Sequence, residues 1–144
     1  MEKIFCYSEE ELAQNINEII NLLVSYRVWL FYGKMGSGKT TLARNIAKAL
    51  GQEEEVSSPT FTLINEYHFK SNPWHIDKMY HLDLYRLDNL QQALDAGIED
   101  LLDTQEICII EWPEMIVPLL SDLSRVEIQI NTMEGGKREY KIKS

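Results

Sequence analysis

Val28-Trp29-Leu30-Phe31-Tyr32-Gly33-Lys34-Met35-Gly36-Ser37-Gly38-Lys39-Thr40-Thr41-Leu42 is the stretch on which the reading of this chain turns. Its first five residues are apolar or aromatic, as in a buried strand, and the residues after the glycines continue into a helix-forming run. Between them lies the spacing of a phosphate-binding loop, Gly-x-x-x-x-Gly-Lys-Thr, a P-loop. Glycines let the backbone aim several N–H groups at one phosphate, and the helix start adds roughly half a positive charge. Gly33, Met35, Gly36, Ser37, Gly38, Lys39, Thr40 and Thr41 are therefore the candidate nucleotide-binding residues. Lys39 is expected to reach the outer phosphates. The Thr40 hydroxyl is a hard oxygen ligand of the kind that completes a magnesium shell.

Upstream, Lys3 to Tyr7 reads as a short strand. Ser8 followed by Glu9-Glu10-Glu11 reads as a helix N-cap with a capping box. Leu12, Ile16, Ile19, Ile20 and Leu23 then recur at helical spacing, giving an apolar face. The helix is read as structural, with Ser8 a candidate to line the base or ribose. Downstream, Leu42, Ala43, Ile46, Ala47 and Leu50 form the stripe of a second helix that stops at Gly51. Glu53-Glu54-Glu55 reads as a solvated connection.

Ser57-Ser58-Pro59-Thr60-Phe61-Thr62 places small hydroxyl residues around a proline shortly after the phosphate-loop helix. Such a segment is either a turn into the next strand or a switch loop that meets the γ-phosphate and metal. The Asn72-Pro73 turn predicts paired antiparallel strands over Thr62–Phe69 and Trp74–Leu82. In the segment that follows, alternation sets His81, Asp83 and Tyr85 on one face and Leu82 and Leu84 on the other. Asp83 is a candidate to orient a water, or else caps the loop or pairs with Arg86. Leu90 to Leu94 and Ile98 to Leu102 are short helical pieces.

Ile107-Cys108-Ile109-Ile110 is an apolar run of the kind buried in a parallel sheet, and it ends on Glu111. A carboxylate at the carboxyl end of such a strand is where a Walker B acid holds magnesium or polarises the attacking water. Trp112 then either stacks on a ligand or plugs the core. Glu114 is a weaker carboxylate candidate. Val126, Ile128 and Ile130, the Gly135-Gly136 turn, and Tyr140 with Ile142 predict a terminal hairpin.

The length of 144 residues suits one domain, residues 1–144, and 44% hydrophobic with 26% charged residues is an ordinary globular composition. The net charge of -9 opposes nonspecific attraction to a polyanion, so direct contact with RNA or DNA is disfavoured. Cys6 and Cys108 lack metal spacing and are both read as structural thiols. No apolar signal region opens the chain and no stretch is long enough to span a bilayer, so a cytoplasmic protein with no membrane contact is expected.

Gly33 to Thr40, Ser58-Pro59-Thr60-Phe61-Thr62, His81-Leu82-Asp83-Leu84-Tyr85-Arg86-Leu87, Gly97-Ile98-Glu99-Asp100-Leu101-Leu102 and Glu111-Trp112-Pro113-Glu114 follow one another in the order of a known family. Together they resemble TsaE, the P-loop ATPase of bacterial tRNA threonylcarbamoyladenosine biosynthesis. The resemblance covers most of the chain. It implies an α/β fold of the P-loop NTPase-like, three-layer kind, with central parallel strands flanked by antiparallel ones, and a site for ATP and Mg2+. It implies a TsaB-TsaD-like protein complex as partner, with tRNA contacted only indirectly through that complex. By the same resemblance Thr40 and Glu111 are magnesium ligands, Asp83 the catalytic aspartate, Thr60 the switch threonine and Trp112 the nucleotide-proximal tryptophan. Lys34-Met35 departs from the acid and leucine that many relatives carry there.

A small-molecule P-loop kinase is the alternative. Such enzymes clamp the transferred group with several arginines of a closing lid, whereas Arg27, Arg44, Arg86, Arg125 and Arg138 are scattered along the sequence. Arg86 is the one candidate for a catalytic arginine. A GTP switch is a third reading, weakened because no Asn-Lys-x-Asp segment is present.

Overall fold

The computed structural model describes residues 1–57 and 63–144, residues 54–57 through their backbone. The stretch from Val28 folds as its pattern requires. Strand β2 (Val28–Tyr32) runs through the glycine loop into a helix over Lys39–Ala49. Before it come β1 (Glu2–Tyr7) and α1 (Glu9–Leu23), so the Lys39–Ala49 helix is α2. The capping box of α1 forms in full: Glu11 N–H donates to Ser8 Oγ at 3.1 Å and Ser8 N–H donates to Glu11 Oε1 at 3.0 Å. At the far end of α2, Gly51 adopts φ +86, the left-handed turn that stops a helix.

The remaining strands are β3 (Gln52–Ser57), β4 (Ile64–Phe69), β5 (Lys78–Asp83), β6 (Ile107–Glu111), β7 (Arg125–Thr132) and β8 (Arg138–Lys143). Helices α3 (Leu90–Asp95) and α4 (Ile98–Leu102) lie between β5 and β6, and a 3-10 helix over Pro113–Leu119 follows β6. All strands join one sheet in the order β1-β8-β7-β2-β6-β5-β4-β3. β7, β2, β6 and β5 are mutually parallel, and the pairs outside them are antiparallel. This is the α/β arrangement expected, central parallel strands with antiparallel flanks.

Period-two alternation along β2 builds the three layers. Trp29 and Phe31 enter one apolar cluster with the inner faces of α1 and α2, while Val28 and Leu30 enter a second with α3, α4 and the 3-10 helix. β6 divides likewise, Ile109 to the first side and Cys108 and Ile110 to the second. A strand covered on both faces has no polar side, which is why Ile107 to Ile110 is an unbroken apolar run.

Local expectations are corrected in three places. Glu53-Glu54-Glu55 lies within β3, the terminal strand of the sheet, and not in a connection. A sheet edge accepts charge because one side of the strand has no partner to pack against, and such charge discourages pairing with other chains. The strand predicted from Trp74 begins only at Lys78, because Asn72 folds the intervening residues into a turn. Its side-chain amide donates to the carbonyls of Leu50, Lys70 and Ile76, and its oxygen accepts from the N–H groups of Trp74 and Ile76. Cys108 is buried as expected, whereas Cys6 is exposed on β1 and packs into no core.

Candidate nucleotide site

Parallel strands end on the same side of a sheet, and β2, β6 and β5 end together there. Loop residues 33–38 leave β2 at this edge. Gly33 has no room for a side chain, since a Cβ there would lie 2.8 Å from the Ile130 carbonyl oxygen. Gly38 has φ +107, a conformation that L residues rarely adopt, and its own open face is covered by the Arg138 guanidinium.

Lys39 is buried by its position at the first turn of α2. Its ammonium donates to Gly33 O at 2.5 Å and Lys34 O at 3.2 Å, which curls the loop around it. It also lies 3.8 Å from the centre of the Trp112 ring, a cation–π contact. Burial pulls the ammonium pKa below its ordinary value, against the opposing pull of the Glu111, Asp83 and Glu114 carboxylates. The lysine is thus a cation held at a desolvation cost and tied to its own loop by carbonyls.

Thr40 Oγ1 donates to Glu111, 3.1 Å from Oε1 and 3.2 Å from Oε2. Glu111, only 3% exposed, is also met by His81 Nε2 at 2.5 Å from Oε2. Across the imidazole, Nδ1 faces the Tyr67 hydroxyl at 3.1 Å, with the two rings stacked. A chain of polar groups, Thr40, Glu111, His81 and Tyr67, therefore runs from the loop into the sheet. His81 was placed by alternation on the polar face with Asp83, and the fold adds its partners. No signal in the sequence could have paired it with Glu111, which stands one strand away.

Asp83 ends β5 in register with Glu111, which ends β6, but it is exposed where Glu111 is buried. Its Oδ1 accepts from Tyr85 N–H at 3.2 Å, the loop-cap role, and its side chain still borders the cleft. Trp112 has φ 57, a turn that swings the chain away after β6 and lays the ring across Lys39, with the Tyr85 ring 5.1 Å away. It borders the cleft and packs on the second core.

The cleft so formed has a volume of about 780 Å³. Met35, Gly36, Ser37, Gly38, Lys39, Thr40 and Thr41 line it along the loop, and Asp83, Glu111 and Trp112 along the strand ends. Ser8 is not among the described residues that line it, and its hydroxyl accepts from Glu11 N–H as the cap of α1. Glu114 is exposed in the first turn of the 3-10 helix. Thr60, with Ser58, Pro59, Phe61 and Thr62, lies outside the described residues. Two arginines scattered in sequence, Arg86 and Arg138, border the cleft together. Among the described residues, no group of three or more His, Cys, Asp or Glu side chains is placed to hold a metal by itself. No helix among them is long and apolar enough to cross a membrane.

A strand, glycine loop and helix at the centre of a parallel sheet, with a strand-end carboxylate on the loop threonine, define a protein of the P-loop-like α/β class. Comparison with known proteins narrows the class. Residues 6–140 match the family model described as "Threonylcarbamoyl adenosine biosynthesis protein TsaE". The tRNA threonylcarbamoyladenosine biosynthesis protein TsaE of Treponema pallidum is 33% identical over 94% of this chain and 95% of its own. That of Aquifex aeolicus is 31% identical over 99% of this chain and 96% of its own. The crystal structure of Bacillus subtilis YdiB superposes with a TM-score of 0.65 at 25% identity, covering 100% of this chain and 87% of that one. The chain belongs to the TsaE family.

Proposed function

We propose that this protein binds and hydrolyses ATP with Mg2+ as the ATPase component of the machinery that forms threonylcarbamoyladenosine on tRNA, supporting turnover of a TsaB-TsaD-like complex. The observation that carries this reading is the meeting of Lys39, the Thr40 hydroxyl and the Glu111 carboxylate at the carboxyl ends of β2 and β6. Names borne by the relatives support the pathway, and the net charge of -9 favours leaving tRNA contact to partners.

The donor set suits magnesium. Thr40 and Glu111 offer hard oxygens on one point, few enough that water and phosphate would complete the shell, as this ion prefers. Thr40 and Glu111 would hold it, directly or through water. When bound, the ion neutralises charge on the outer phosphates. The protein's own groups do the rest. Loop N–H groups and the start of α2 face the phosphates, and Lys39 exchanges the Gly33 and Lys34 carbonyls for phosphate oxygens. Asp83, exposed beside Glu111, is the group we assign to orienting the attacking water. Thr60 is assigned to sensing the γ-phosphate, Trp112 to closing the wall beside Lys39. Arg86 is exposed and makes no side-chain hydrogen bond or ion pair among the described residues, so turnover is expected to be slow until a partner is bound.

ATPase rate measured with and without TsaB and TsaD proteins tests the proposal. The expected result is slow phosphate release alone and faster release with both. Equal rates would remove the partner-coupled reading. A phosphate product that appears only with an added small-molecule acceptor would point to a kinase.

A further inference from the structure

Three buried polar side chains cross one face of the sheet in an oblique row that leads to the loop. Tyr67 on β4, His81 on β5 and Glu111 on β6 stand on neighbouring strands, each 5% exposed or less. His81 is in register with Asn65 and Ile109, so Tyr67 and Glu111 each lie two residues further along their strand, on the same face. Diagonal neighbours of this kind are within reach of long side chains. His81 closes both steps, with Nδ1 3.1 Å from the Tyr67 hydroxyl and Nε2 2.5 Å from Glu111 Oε2.

Packing alone does not call for the hydroxyl at the far end of the row. Phe69, next on the same face of β4, belongs to the same apolar cluster and stacks on Tyr67 with ring centroids 6.4 Å apart and planes 8° apart. A bare ring therefore suits this face, and the Tyr67 oxygen is what differs. A buried hydroxyl costs free energy unless it is hydrogen-bonded. Because it can donate or accept, it answers Nδ1 whichever ring nitrogen carries the hydrogen. The imidazole is held by this contact at one end and by Glu111 at the other, and the Tyr67 ring stacks on it 5.9 Å away. So pinned, it resists turning away from Oε2, while Glu111 presents its two oxygens to the Thr40 hydroxyl at 3.1 and 3.2 Å.

We propose that Tyr67 is a positioning residue of the nucleotide site, whose hydroxyl, acting through His81, holds the Glu111 carboxylate in the orientation that receives Mg2+. The inference rests on the ATP and Mg2+ reading given above and extends it to a strand that does not reach the loop. Groups hydrogen-bonded behind a metal-binding carboxylate tune its affinity for the ion. Removing the Tyr67 hydroxyl therefore weakens the ion-dependent part of nucleotide binding and spares the part due to Lys39 and the loop N–H groups.

The test is calorimetric titration of the whole chain with ATP, once with Mg2+ in excess and once with EDTA, for the unaltered protein and its Tyr67→Phe and Lys39→Ala variants. The readout is the factor by which Mg2+ tightens ATP binding, which a change in stability alone does not move. Tyr67→Phe keeps the ring that packs on Phe69. It is expected to cut that factor about two- to tenfold, the loss of one hydrogen bond, with affinity in EDTA unchanged. Lys39→Ala should weaken ATP binding in both media. In a His81→Ala background, or His81→Leu should that variant not fold, Tyr67→Phe should add no further loss, because the row is already cut. An unchanged Mg2+ factor in Tyr67→Phe, or equal losses with and without the ion, would overturn the assignment and leave the ATP reading intact. So would a loss that persists undiminished in the His81 background, since Tyr67 would then act by another route. If the unaltered chain binds ATP no better with Mg2+ than with EDTA, the ion leaves the site and this assignment falls with it. If it binds no ATP in either medium, the ATP reading itself falls.

Discussion

His81 Nε2 lies 2.5 Å from Glu111 Oε2, with both side chains nearly inaccessible to water. Since Glu111 also accepts from Thr40, the imidazole fixes the carboxylate in the orientation in which it meets the loop. The ring nitrogens stand between two partners, Nε2 against Glu111 and Nδ1 against the Tyr67 hydroxyl. His81 thereby acts on the site through Glu111.

Replacing it tests that dependence. His81→Ala leaves the buried carboxylate with the Thr40 hydroxyl alone, a loss of about 3 kcal/mol in unfolding free energy by denaturant titration. His81→Gln, whose amide can still donate, should recover part of it. If the alanine variant is as stable as the parent, the pair contributes nothing to the fold.

Lys39→Ala and Glu111→Ala should fail differently. The lysine variant loses a charge-assisted contact to phosphate, roughly 1.5 to 3 kcal/mol, and so about ten- to a hundredfold in ATP affinity by calorimetry. Glu111→Ala should keep much of the nucleotide affinity and lose phosphate release. Parental affinity in the first variant would contradict the loop assignment, and retained hydrolysis in the second would remove Glu111 from the chemistry.

The two thiols should separate by environment. Burial pushes the Cys108 thiol from 9.0 up to about 12, while Cys6 is exposed on β1. A disulfide reagent at pH 8 should therefore titrate one thiol in the native protein and both after unfolding. The raised pKa also sets a sign. Above about pH 9 the unfolded chain releases a proton that the native chain retains, so this group's contribution makes stability fall as pH rises toward 12. Two thiols reacting at equal rates in the native state would mean that β6 opens on that timescale.

Local chemistry was legible wherever the deciding groups lie within a few residues of each other. Ser8 and Glu11 are one helical turn apart, so their capping box needs nothing from the rest of the chain. The apolar run before Gly33 and the one before Glu111 announce buried strands by composition alone. Failures came where a neighbour in space overrides a local pattern. Glu53-Glu54-Glu55 is polar enough for a loop, yet β4 supplies hydrogen-bond partners and turns it into an edge strand.

What the sequence determined by itself is the glycine loop with its strand and helix, and the residue types of the candidate site, because backbone geometry and periodicity over some fifteen residues suffice for these. Only the tertiary structure decided which of those residues act together. The parallel register of β5 and β6 brings Asp83 beside Glu111, side-chain packing across it ties His81 to the same carboxylate, and the return of β8 lays Arg138 over Gly38. Such contacts join residues far apart in the chain, and no local pattern encodes a distance across a sheet.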